Sequence, residues 1–97
     1  MILEVAVLNV VPGRAKEFEE SFSKAQHIIS SMSGYLGHEL RSCLEVENQY
    51  ILLVKWESVE AHTDGFRGSP EYAEWKALLH HFYDPFPEVH HYLSVEL

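Results

Sequence analysis

Hydrophobic residues along this chain switch between alternation and a three-to-four repeat, and each switch marks an element. Residues 2–11, ILEVAVLNVV, are β-branched and aliphatic and stop at Pro12-Gly13, which predicts a strand ended by a turn. From Gly13 the repeat lengthens. Ala15, Phe18, Phe22, Ala25, Ile29 and Met32 form one stripe of an amphipathic helix, with Lys16, Glu19, Glu20, Ser23 and Lys24 opposite. That helix is expected to end in SMSG, with Gly34 as its left-handed cap. Alternation returns in YLGHELRSCLE (35–45), where Leu36, His38, Leu40, Ser42 and Leu44 share one face and Gly37, Glu39, Arg41 and Cys43 the other. Glu47-Asn48-Gln49 is a polar turn, and YILLVKW (50–56) completes a hairpin.

The second half repeats the plan. Ser58 caps a short helix, VEAHTDGF, expected to break at Gly65 and Gly68. Ser69-Pro70 starts another, whose apolar stripe is Tyr72, Trp75, Leu79 and Phe82. Asp84-Pro85-Phe86-Pro87 forbids further helix, and VHHYLSVEL (89–97) is a last strand. The order β-α-β-β-α-β predicts one α+β domain over 1–97, a ferredoxin-like split βαβ sandwich with antiparallel strands ordered 4-1-3-2 and both helices on one face. The strands are apolar on both faces: Leu3, Val5 and Val7 against Ile2, Ala6 and Leu8, and Ile51 and Leu53 against Leu52 and Val54. Helices cover only one of these faces. A second copy packed sheet to sheet is the economical cover for the other, so a homodimer is expected.

Composition narrows the function. A net charge of −8 with only seven scattered Lys and Arg residues disfavours nucleic acid and anionic membrane, which demand a basic patch. No apolar run approaches the roughly 20 residues of a membrane span, and MILEVAVLNVV lacks the basic start of a signal peptide, so a cytoplasmic location is expected. The one cysteine, Cys43, excludes an internal disulfide.

At VVPGRAKEF (10–18), VKWES (54–58), VEAH (59–62) and GSPEYAEW (68–75) the chain resembles the antibiotic biosynthesis monooxygenase domains, small proteins that form dimeric α/β barrels. That resemblance implies a ferredoxin-like fold, a homodimer and, in some members, oxidation of quinols or aromatic polyketides without a cofactor. Its haem-degrading branch uses an Asn on the first strand, a Trp on the second-half helices and a His ligand on the last helix. Here Ala6 stands nearest that Asn, Gly65 or Phe66 near the Trp, and Trp75 near the ligand, with His80 about a turn later.

Seven histidines are the candidate chemistry. Adjacent imidazoles point about 100° apart on a helix and about 180° apart on a strand, so neither His80-His81 nor His90-His91 chelates one metal ion from both members. Single imidazoles in apolar surroundings are the stronger reading. A neutral imidazole near pH 7 is a natural general base for a phenol or hydroquinone. The catalytic candidates are therefore His62 or His38 as base, with Tyr72 and Trp75 beside them. Trp56, Phe66, His80, Phe82 and Phe86 are candidate substrate walls, and Asn9 can orient an oxygen. The expected activity is cofactor-independent oxidation of an aromatic or quinol-like molecule by O₂. The alternatives are a non-catalytic dimeric ligand-binding domain and a haem-binding or haem-degrading protein.

Overall fold

The structure, a computed structural model, describes residues 1–97. Four strands and two main helices follow the predicted order: β1 (Ile2–Asn9), α1 (Ala15–Ile29), β2 (Tyr35–Ser42), β3 (Gln49–Trp56), α2 (Pro70–Leu79) and β4 (Val89–Tyr92). The sheet runs β2-β3-β1-β4 with every neighbouring pair antiparallel. Both helices pack on one face of it. Even-numbered residues of β1 and β3 turn toward them, so Ala6, Leu8, Leu52, Val54 and Trp56 join Phe18, Phe22, Ile29 and Leu79 in one core. No helix is long and apolar enough to cross a membrane.

Local chemistry explains the joints. Ser69 caps α2 by accepting from the Tyr72 N–H, with Pro70 preset for the first turn. Helix α1 ends at Ile29 with Ser30 as its C-cap, so Gly34 is not the expected cap; at φ +86 it turns the chain into β2, and a Cβ there would lie 2.6 Å from the Ala61 Cβ. Only glycine satisfies both the left-handed backbone and that contact. Ala61–Phe66 form a π-helical turn that runs through Gly65 instead of breaking there. A three-residue 3₁₀ turn, His80–Phe82, then leads to the proline corner.

Two expectations about the strands also need correction. A bulge between Tyr35 and Gly37 pairs Tyr35 with Trp56 and Gly37 with Lys55. Tyr35 therefore joins His38 and Leu40 on the helix side, while Leu36, 48% exposed, moves to the outer face beside Leu3 and Leu53. The last strand also stops at Tyr92, and Leu93, Val95 and Leu97 lie exposed. Its partner runs out: Tyr92 pairs with Leu3, one residue from the start of β1.

Candidate functional site

A hollow of about 70 Å³ lies between the sheet and the second-half helices. Its floor is Glu4, Ala6 and Leu8 of β1 with Leu52 of β3. His62 and Phe66 of the π-helical turn and Tyr72 and Trp75 of α2 form the roof. The third wall comes from the corner after α2, with His80, Tyr83, Phe86 and Pro87. That corner is fastened to the end of β1, where the Val11 N–H donates to the Phe82 carbonyl (2.8 Å) and the Asp84 N–H to the Asn9 carbonyl (2.9 Å). The aromatic walls meet edge to face: Phe66 lies 5.4 Å from Trp75 and 5.2 Å from Tyr72, and His80 lies 4.9 Å from Phe86.

The polar end of the hollow is built on β1. Glu4 shares the parity of Ile2, Ala6 and Leu8, so the sheet turns its carboxylate into the core, where it is 5% exposed. The Trp56 Nε1–H donates to Glu4 Oε1 at 2.9 Å. His62, equally buried, stacks on the Trp56 indole at 5.5 Å and 20°. Its Nε2 stands 3.4 Å from Glu4 Oε1, and its Nδ1 is hydrogen-bonded to His91 Nε2 at 2.8 Å. His91 is the register partner of Glu4 across the β1–β4 ladder, which brings the three groups together. Burial raises the Glu4 pKa, against the opposing pull of the Trp56 hydrogen bond and the Arg67 charge. Burial, with help from Arg67 and His91, lowers that of His62 to about 3. Near neutral pH His62 is thus an uncharged imidazole beside a carboxyl group that resists ionisation.

Of the sequence candidates, the hollow gathers His62, Phe66, Tyr72, Trp75, His80 and Phe86. Four others lie elsewhere. Asn9 has odd parity on β1 and points to the outer face, accepting from Gln49 Nε2 at 3.0 Å. His38 faces α1, bonded to Tyr35 and to Gln26 Oε1 (3.1 Å), in a separate open cleft of about 510 Å³. Trp56 is fully buried behind His62 and serves as a support rather than a wall. Phe82 packs 5.8 Å from Phe18 in the core beneath α1. Glu4 and Arg67 were not among the candidates. A lone acid in phase with the buried residues of β1 was the available signal for Glu4; Arg67, just past the helical turn, carried none. No three His, Cys, Asp or Glu side chains converge in a metal-binding arrangement.

The family model for antibiotic biosynthesis monooxygenase matches residues 1–78. The chain belongs to this family. It is 54% identical over 95 residues to YczJ, an uncharacterized protein of Bacillus subtilis, covering 98% of this chain and all of that one. A solved structure classed with antibiotic biosynthesis monooxygenases, from Bordetella bronchiseptica, superposes with a TM-score of 0.93 at 34% identity, covering 98% of this chain and 97% of that one. SnoaB from Streptomyces nogalater, a cofactor-independent oxygenase, shares the fold with a TM-score of 0.85 at 18% identity, covering 99% and 94%.

Proposed function

We propose that this family member is a monooxygenase that oxidises an aromatic, phenolic or quinol-like small molecule with O₂, the deprotonated substrate itself supplying the electrons. One observation carries the reading: an aromatic-walled hollow, with Arg67 and His80 also in its lining, that holds a buried carboxyl–imidazole pair, Glu4 and His62. Phe66, Tyr72 and Trp75 offer flat apolar surfaces for a planar ring, and its hydroxyl meets the polar end. Removing that proton makes the ring electron-rich enough to reduce O₂, and the dry walls protect the intermediates from water. The cofactor-independent chemistry of SnoaB, on the same fold, supports the reading.

The hollow at about 70 Å³ is smaller than the roughly 150 Å³ that benzene occupies in an apolar protein cavity. Admission of a ring therefore requires a wall to move. The backbone of the corner is held to β1, so the side chain to move is Phe86, which is 62% exposed and lies 4.9 Å from His80 and 6.3 Å from Tyr83. The test is O₂ uptake by purified protein across a panel of hydroquinones and phenols. Uptake is expected, and His62→Gln, which alters the polar end of the hollow, should lower it. Absence of uptake with every member of the panel would end the oxygenase reading. A Soret band on adding haem, lost in His80→Ala, would replace it with haem binding.

The outer face of the sheet, with Leu3, Val5, Val7, Ile51 and Leu53, is the surface on which a second copy closes. Val7 is 42% exposed there, and these aliphatic side chains sit side by side on the two central strands, β1 and β3, a patch suited to its own image about a two-fold axis. Leu53→Asp should convert a dimer to a monomer in sedimentation equilibrium. A wild-type protein that sediments as a monomer removes the dimer.

A further inference from the structure

The two oxygens of Glu4 are not equivalent. Oε1 accepts the Trp56 N–H and faces His62, whereas Oε2 has no hydrogen-bond partner. No polar side-chain atom sealed from solvent lacks a partner, so Oε2 keeps some access to open space, and the hollow is the cavity that Glu4 lines. His62 is in the opposite position. Both of its ring nitrogens are engaged, Nδ1 by His91 at 2.8 Å and Nε2 by the 3.4 Å approach to Glu4. The imidazole is bracketed between two neighbours, and the free lone pairs at the polar end belong to the carboxylate.

We propose that Glu4 is the acid–base residue of the hollow, its Oε2 taking the proton of the substrate hydroxyl, with His62 and His91 as positioning residues that fix the carboxylate from behind. This rests on the oxygenase reading and assigns its proton transfer to Glu4 in place of His62. The steps balance with O₂ as the only co-reactant. The substrate O–H bond breaks, its proton goes to Glu4 Oε2 and its electron pair stays on the substrate oxygen. The ring then passes electrons to O₂ one at a time, and a carbon–oxygen bond forms at a ring carbon to give a peroxide, whose distal oxygen takes the proton back from Glu4. The carboxylate next removes the hydrogen of that same carbon. Its C–H electrons form the carbonyl as the O–O bond breaks, and the departing hydroxide takes the proton from Glu4 as water. The substrate loses four electrons, O₂ gains four, and no proton is left over.

The surroundings suit a group that must both accept and return a proton. Burial, with Glu4 only 5% exposed beside Trp56, raises its pKa and favours a carboxyl that can hold a proton as well as take one. The charged and titratable groups around this cluster are His62, Arg67, Tyr72, His80 and Tyr83 in the lining of the hollow and His91 on β4, with His90 turned to the opposite face of the sheet. His91 contacts His62 from the sheet side and is only partly buried, so it joins the cluster to solvent without lining the hollow.

The test uses para-nitrophenol, an acidic chromophoric phenol with poor reducing power, and reads ionisation rather than turnover. On binding to the wild-type protein near neutral pH, the phenolate absorbance should rise together with the infrared C=O stretch of a protonated carboxylic acid. Glu4→Gln retains an oxygen to accept from Trp56 and should lose both signals; Glu4→Asp, which keeps the acid but retracts it, should weaken them and covers the case in which the glutamine variant does not fold. His91→Gln should move the pH midpoint of the carboxyl band without abolishing it. A phenol ionised equally in Glu4→Gln, or bound by wild type with no carboxyl band, would overturn the assignment. Ionisation that follows Glu4 without O₂ uptake from any quinol would retire the oxygenase reading and leave the acid–base assignment standing.

Discussion

Trp56→Ala is expected to destabilise the protein by about 3–5 kcal/mol from lost burial and the cavity left behind. The indole is fully buried, and it is the common neighbour of Tyr35, His62 and Phe66, at centroid distances of 6.2, 5.5 and 6.0 Å. Its N–H is also the only hydrogen-bond donor within 3 Å of the Glu4 carboxyl group. Leaving a buried acceptor without its donor adds about 1–3 kcal/mol. Trp56→Phe separates the two costs, because it keeps most of the volume and removes only the donor. Against a typical total of about 5–15 kcal/mol, the alanine variant should be at the edge of folding. Urea unfolding at neutral pH measures both variants, and an alanine variant within about 1 kcal/mol of wild type would show that Trp56 does not anchor the site.

The second large effect is acid sensitivity through His62. Its folded pKa of about 3 lies below the ordinary 6.5, so as the pH falls the unfolded chain binds a proton that the folded one refuses. The stabilising contribution is complete above pH 6.5 and is lost progressively down toward about 3. At about 1.4 kcal/mol per pH unit, the loss by pH 5 is about 2 kcal/mol from this residue. His38, His80 and His91 shift in the same direction, each first through burial. Glu4 opposes them: its raised pKa gives stability that is present below about 4.5 and lost as the pH rises through its folded value. Denaturation midpoints at pH 7 and pH 5 should therefore fall further for wild type than for His62→Gln. Parallel behaviour of the two proteins would remove His62 as the sensor.

Much of the fold was legible because hydrophobic spacing reports which face of an element is covered. The Phe18–Phe22–Ala25–Ile29 stripe and the Ser69-Pro70 start of α2 gave their elements directly. Leu36 was misassigned because a bulge is a backbone event: one extra residue reverses the alternation, and the sequence carries only Gly37 to hint at it. The end of β4 was invisible for a different reason, since the length of its partner decides it.

The site was less legible than the fold. His62 and Phe66 share one helical turn and Tyr72 and Trp75 the next helix, so helical spacing gives each pair and the fold joins the two pairs. Glu4 lies 58 positions before His62 and 87 before His91, and only the β1–β4 register and the fold of the helical turn over it unite them. Parity alone places Asn9 on the far face of the sheet from the hollow.

Strand β1 has a double duty. Its even residues furnish the cavity floor and its odd residues the opposite surface. Exchange of one side chain therefore damages one of two tasks, but deleting a single residue near its start would turn Leu3 inward and send Glu4 out to the far side. The length of this segment is consequently held more tightly than its composition, and a lineage can retune either surface by substitution while being barred from insertions there.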